Sequence, residues 1–506
     1  MSLAVIHSRA LDALAAPQVT VEVHLANGLP SFTLVGLADT EVKESRERVR
    51  AALASSGLPF PHNKRVTVNL APAELPKDSG RFDLPIALGI LAADGHIEAH
   101  RLANFEFAGE LSLSGELRPV RGALALALGL RRLKVGRALV LPEASAHEAA
   151  LVDGVVVHAA RHLLDVVGWL TRAEGDADGS PAALPSRRPA PELPHGLDYR
   201  DVKGQSSAKR ALEIAAAGGH SVLMTGPPGT GKSMLAQRFA GILPPLSPDE
   251  ALESAALLSL TREFDARQWG VRTFRAPHHS LSSVALVGGG SPPRPGEVSL
   301  AHHGGLFLDE LPEFARAARE ALREPLENGR ILISRAARQA EFPARFQLLA
   351  AMNPCPCGHL GSPLAACRCS PDVVARYQGR ISGPLLDRID LRVDVPAVSA
   401  QILSAAPDGD PSAAMAARVL DARQRALQRQ TCTNAQLAGA ALDEHCRLEA
   451  AASTFLQTAA ARLGWSGRGF HRILRVARSI ADLEASEAIN VSHLAEAIQY
   501  RRPAVA

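Results

Sequence analysis

Residues 226–233 read Gly-Pro-Pro-Gly-Thr-Gly-Lys-Ser, and further on Gly305-Leu306-Phe307-Leu308 runs into Asp309-Glu310. Together these residues suit nucleoside triphosphate hydrolysis. Gly226, Gly229 and Gly231 let backbone N–H groups turn inward on the β- and γ-phosphates, an approach that a Cβ would obstruct. Pro227, Pro228 and Thr230 complete the loop, Lys232 offers a cation to the phosphates, and Ser233 offers a hydroxyl to Mg²⁺. Asp309, ending an apolar run, suits the Mg²⁺ water shell, and Glu310 suits activation of the attacking water. Asn353 follows a further apolar run, Phe346–Ala351. Its amide either bonds the γ-phosphate and the lytic water or caps a turn before Pro354.

These groups work only if strands deliver them to one place. Ser221–Thr225 is a short apolar run of the kind found in buried parallel strands, and Met234–Ala240 has helical apolar spacing. The phosphate loop therefore sits between a strand and a helix. Strand-like runs at 221–225, 305–309 and 346–351, alternating with helical stretches, predict a parallel sheet.

Cys355-Pro356-Cys357 and Cys367-Arg368-Cys369 stand on either side of a short glycine-containing segment. Four thiolates on one loop fit a closed tetrahedral zinc site, with His359 as a substitute ligand and free thiols or a redox pair as the alternative. His278, His279, His302 and His303 have no helical pair spacing that would favour a metal.

At 506 residues the chain is too long for one core, and about three or four domains are expected. Val19–Val23 and Val66–Leu70 alternate like strands and 41–55 is helical in pattern, so residues 1–172 read as an α/β or α+β domain. The Pro- and Gly-rich stretch 173–196 reads as a linker, 197–396 as the nucleotide-binding segment, and 397–506 as helical. A net charge of +3 does not by itself argue for a nucleic-acid partner. The first residues lack a basic start and a long apolar core, and no long apolar run follows, so a cytoplasmic, non-membrane protein is expected.

Asp201-Val202-Lys203-Gly204-Gln205 resembles the entry segment of AAA+ ATPases. Phe274–Ser280, Gly288-Gly289-Gly290, Pro295–His302 and Leu306–Phe314 resemble the magnesium-chelatase-like branch, and over nearly the whole chain the ComM/YifB family. The resemblance implies a multidomain α/β protein: a Lon-protease-like N-terminal domain, a central P-loop AAA+ domain with a pore insertion within 260–300, and a C-terminal helical lid. It also implies a homo-oligomeric ring, a hexamer, that uses ATP and Mg²⁺ to move branched or single-stranded DNA during recombination. A chelatase-type protein-remodelling ATPase is the alternative. On this pattern Arg388, in Leu385-Leu386-Asp387-Arg388-Ile389-Asp390, is the finger reaching a neighbour's γ-phosphate, or else it pairs within the chain with Asp387 or Asp390. Arg468 matches the second sensor, with Arg472 in reserve and Arg475 on the same helix face. Pro76–Gly80 and Gly109–Gly115 resemble the proteolytic domain of Lon. Arg81 stands where that pattern puts the serine, and 122–133 holds no lysine, so a non-peptidase fold is expected, with Ser79 the remaining nucleophile candidate.

Overall fold

The computed structural model describes residues 3–36, 42, 44–75, 77, 79–134, 136–172, 182–186, 188–189, 196–261, 263–290, 293–335, 338–363, 365–407 and 409–501. Most of the expected linker lies outside these residues, as do Pro76 and Asp78. The chain forms two compact units, Met1–Pro191 with Ala251–Trp269, and Glu192–Glu250 with Gly270–Ala506. The expected mixed α/β architecture with a parallel sheet is present. Among the described residues no helix is long and apolar enough to cross a membrane.

The first unit is built on a seven-stranded mixed sheet. Its strands are β1 (Leu3–Arg9), β2 (Gln18–Asn27), β3 (Ser31–Val35), β4 (Lys64–Ala71), β5 (Phe105–Phe107), β6 (Ala138–Pro142) and β7 (Val157–Ala160), in spatial order β3-β4-β2-β1-β5-β6-β7. β2 pairs antiparallel with β1 and β4, placing Val21 opposite Ile6 and Leu70. The alternation of Val19, Val21, Val23 and Leu25 buries one face of β2, as its period of two requires. Its helices include α1 (Ser45–Ser55), α2 (Asp83–Ala93) and α3 (Ala123–Leu133). All of α2 is buried, which fits a segment apolar on every side. It comes so near the sheet that a Cβ on Gly89 would lie 2.5 Å from Val23 and 2.7 Å from Ile6.

Arg9 and Glu106 form a buried ion pair at 2.6 Å, with Arg137 a further 3.4 Å partner of the same carboxylate. Residues 251–269, which the sequence reading assigns to the nucleotide-binding segment, group with this unit. The physical reason is local: Ala255, Leu257 and Leu258 are buried. Ser259 accepts the Gly122 N–H at 3.2 Å and donates its hydroxyl to Glu148 at 2.9 Å.

The second unit has a five-stranded parallel sheet ordered β9-β10-β11-β8-β12, from β8 (Val222–Thr225), β9 (Phe274–Arg275), β10 (Gly305–Leu308), β11 (Gln347–Met352) and β12 (Leu391–Asp394). β8, β10 and nearly all of β11 are buried, as their apolar runs demand when helices cover both faces. α4 (Ser206–Gly218) ends at Gly219, whose φ of +82° gives the left-handed cap that closes a helix. α5 (Lys232–Arg238) follows the phosphate loop. Beyond β12 the chain is helical: α6 (Ser412–Gln430), α7 (Ala450–Leu463), α8 (Gly467–Leu483) and α9 (Val491–Gln499). Ser466 starts α8 by accepting the Gly469 N–H at 3.3 Å, and Asn490 starts α9 by accepting that of His493 at 3.1 Å.

Candidate nucleotide site

In the parallel register Thr225 lies beside Met352 and Asp394, and Leu308 beside Ala350. The phosphate loop, Asp309 and Asn353 therefore leave the sheet at one edge, its carboxyl edge, where open α/β sheets take their ligands. Gly229 and Gly231 adopt φ of +77° and +91°, conformations that a side chain would strain. A Cβ on Gly226 would run into the Val395 carbonyl oxygen. Thr230 donates its hydroxyl to the Pro227 carbonyl at 3.0 Å. Gln205, in the entry segment, ties the loop to the strand beyond by donating to the Thr230 carbonyl at 3.1 Å and the Pro396 carbonyl at 2.7 Å.

The buried Lys232 ammonium donates to the Gly226 carbonyl at 2.7 Å, the Pro227 carbonyl at 2.8 Å and Asn353 Oδ1 at 3.2 Å. Burial lowers its pKa, while the charges of Asp309 and Glu310 pull the other way. Ser233 donates to Asp309 Oδ2 at 2.6 Å, the oxygen pair that an octahedral Mg²⁺ would take, and Asp309 Oδ1 accepts the Glu310 N–H at 3.0 Å. Glu310 stands in the left-handed region, φ +53°, with half of its side chain exposed. Lys232, Ser233, Asp309, Glu310 and Asn353 are thus gathered around one loop.

The histidines divide. His279 Nδ1 lies 3.1 Å from the Glu310 carboxylate, a contact that sequence reasoning missed. His278 bonds Ser280 at 2.9 Å, His302 accepts the Arg345 N–H at 2.9 Å, and His303 is 3.5 Å from Glu250.

Arg388 pairs with Glu327 and donates to the Pro384 carbonyl at 2.8 Å. Its intrachain partner is therefore neither Asp387 nor Asp390, the two acids weighed from the sequence. Asp387 is taken by Arg501 at 3.6 Å, and Asp390 by His220 at 3.1 Å and Arg472 at 3.4 Å. Arg468, 71% exposed, lies 3.9 Å from the same Glu327. Among the described residues neither Arg388 nor Arg468 makes a hydrogen bond or ion pair to residues 226–233. Glu327 carries no motif that would mark it in advance.

Residues 21–145 match the family described as subunit ChlI of Mg-chelatase, 198–403 match magnesium chelatase, subunit ChlI, and 409–501 match the ChlI C-terminal segment. The chain is 48% identical over 504 residues to uncharacterized protein YifB of Salmonella typhimurium, covering 99% of this chain and 97% of that protein. It is also 48% identical over 506 residues to competence protein ComM of Haemophilus influenzae, covering 99% and 98%. The chain belongs to the ComM/YifB family. Similarity extends to the magnesium-chelatase 38 kDa subunit of Acidiphilium rubrum, at 26% identity over 58% of this chain and 87% of that protein. These matches support an AAA+ ATPase using ATP and Mg²⁺.

In this ComM/YifB chain all six cysteines are free thiols. The sulfurs of Cys355, Cys357, Cys367 and Cys369 lie within 4.8 Å of one another, and His359 is not in that group. Cys355 and Cys357 sulfurs are 3.4 Å apart, Cys355 and Cys367 3.7 Å, Cys357 and Cys367 3.6 Å. A tetrahedral Zn–S₄ centre has sulfur edges of about 3.8 Å, so the spacing fits a shared cation and is far from a bonded sulfur pair. Backbone N–H groups point at the sulfurs, Leu360 to Cys355 and Cys369 to Cys367, each at 3.4 Å. N–H groups of Arg368 and His359 bring the Cys357 thiol down to about 6. The Cys369 N–H favours the Cys367 thiolate, but burial and the neighbouring sulfurs push that thiol up to about 12.

In the first unit Ser79 has φ +67°, and its hydroxyl accepts from Arg81 Nε at 3.0 Å. The Lys77 ammonium donates to the Pro72 carbonyl.

Proposed function

We propose that this chain is an ATP-driven DNA motor, a hexameric ring that promotes branch migration in recombination. The observation that carries the ATPase half is the convergence of Lys232, Asn353, and the 2.6 Å Ser233–Asp309 pair at the carboxyl edge of the sheet. In this reading residues 226–233 cradle the phosphates, Lys232 draws charge from them, and Ser233 and Asp309 hold Mg²⁺. Glu310 orients the water, with Asn353 bonding the γ-phosphate and water. Arg388 and Arg468 serve a neighbour's nucleotide, and their shared partner Glu327, with no bond from either to residues 226–233 among the described residues, supports that role. The N-terminal region is a Lon-like fold without peptidase activity, since a guanidinium, a poor general base, faces the Ser79 hydroxyl. The helices after β12 form the lid, and the four cysteines hold a structural zinc.

The DNA half rests on the 48% identity to a protein named for competence. Among the arginines of the C-terminal helices Arg425, Arg462 and Arg468 are exposed, while four others are held within the chain. Arg423 is spent on the Ala216 and Ala217 carbonyls, Arg429 and Arg478 on Asp482, and Arg472 on Asp390. Arg294, exposed on the short hairpin Gly288–Gly289/Arg294–Pro295, is a further phosphate contact for DNA. The experiment is a labelled three- or four-way junction incubated with the protein and ATP. Strand exchange dependent on Lys232 is expected, and its absence from the unaltered protein overturns the motor reading.

The chelatase-type alternative is favoured by the 26% identity to the 38 kDa subunit, which reaches only 58% of this chain. Tight binding to a chelatase-type partner, with no stimulation of ATP turnover by DNA, would establish it instead.

A further inference from the structure

Between the end of β11 at Met352 and the helix Pro371–Gln378 the described residues form only turns and irregular backbone. Cys355 is buried, but Cys357, Cys367 and Cys369 are half-exposed, so this segment has almost no core of its own. Ordering backbone costs conformational entropy, and such a loop needs a compensating bond network. Its two ends are fixed: the Pro354 carbonyl accepts from Gln378 Nε2 at 3.0 Å, and Ser370 caps the next helix. In the middle, Gly358 has φ +80° and packs against the phosphate loop, so closely that a Cβ on it would lie 2.6 Å from Pro228 Cδ and 3.9 Å from Asn353 Cγ. Asn353 in turn touches Lys232 at 3.2 Å. The four-sulfur cluster therefore shares one short stretch of chain with two groups of the nucleotide site.

We infer, resting on the zinc reading above, that the tetrathiolate centre is a clamp on the phosphate loop. The metal ties residues 355–369 into one rigid piece, that piece holds Gly358 against Pro228 and Asn353 against Lys232, and metal occupancy thereby sets nucleotide affinity. A structural zinc held by four thiolates contributes its binding free energy to folding, because its site does not exist in the unfolded chain. The cysteines do not touch nucleotide. They are positioning residues whose effect travels through Gly358 and Asn353.

The test uses the full chain. Metal content is measured on the purified protein, the metal is then released with an organomercurial thiol reagent, and binding of a fluorescent ATP analogue is followed before and after. Circular dichroism checks that the sheet stays folded. One zinc per chain is expected, with nucleotide affinity about tenfold or more weaker once it is gone. Gly358→Ala is the second arm, because it leaves all four sulfurs in place. Zinc content should be unchanged while affinity falls by about ten- to a hundredfold, the scale on which a misplacement of order 1 Å acts. Cys432→Ser, outside the cluster, should alter neither. Zinc present with nucleotide affinity unchanged in both arms overturns the clamp and leaves the zinc reading standing. Protein that holds no metal after preparation in zinc-containing medium overturns the zinc reading, and the clamp with it.

Discussion

Glu310→Gln separates binding from chemistry. The substitution keeps the shape of the side chain and the backbone N–H that bonds Asp309 Oδ1 at 3.0 Å, so the magnesium-side geometry is retained. With 51% of the Glu310 side chain exposed, the loss of its His279 contact is a surface ion-pair loss of at most about 1 kcal/mol. Stability should move by no more than about 0.5–1 kcal/mol. Turnover is another matter, because the amide cannot take a proton from the water. General-base catalysis contributes about 10²–10⁴ in rate, which is about 3–5 kcal/mol on the barrier. The expected variant binds ATP with unchanged affinity, melts with the unaltered protein, and releases phosphate about 10²–10⁴ times more slowly. Steady-state phosphate release, nucleotide binding by fluorescence and thermal unfolding measure the three quantities. If phosphate release in the variant stays within about threefold of the unaltered protein, Glu310 is not the base.

Lys232→Ala should weaken ATP binding by about tenfold or more, since it removes the cation that sits against Gly226, Pro227 and Asn353; a binding titration reads it. Arg388→Ala should bind ATP normally yet hydrolyse about 10³ times more slowly. Mixing it with Glu310→Gln subunits should restore part of the activity if the arginine serves a neighbour, and mixtures that stay inactive would refute that. In the first unit, Arg9→Leu leaves the buried Glu106 with Arg137 alone, and should cost about 3–5 kcal/mol in denaturant unfolding.

The phosphate loop, the Asp309-Glu310 pair and Asn353 were legible because each is written in consecutive residues: a glycine pattern, or an apolar run ending in a polar side chain. Short-range order also gave the strands, since the alternation of Val19–Val23 survives as β2. What the chain does with distant residues was not legible. His279 reaches Glu310 and Arg388 reaches Glu327 across separations that carry no periodic signal. The order of the first sheet, with parallel β3 outside antiparallel β4, follows from how the layers pack and not from any one strand. Whether a guanidinium faces solvent or a buried carbonyl likewise depends on the helix opposite, as it does for Arg423.

His220, fully buried just before β8, bonds Asp390 at 3.1 Å through one ring nitrogen and Ser479 on α8 at 2.8 Å through the other. Asp390 is two residues from Arg388, and Arg472, its other partner, is one helical turn from Arg468. One imidazole thus rivets together the strand that feeds the phosphate loop and the two segments bearing Arg388 and Arg468. A tilt of that strand is therefore handed on to both arginines at once, as through a single lever.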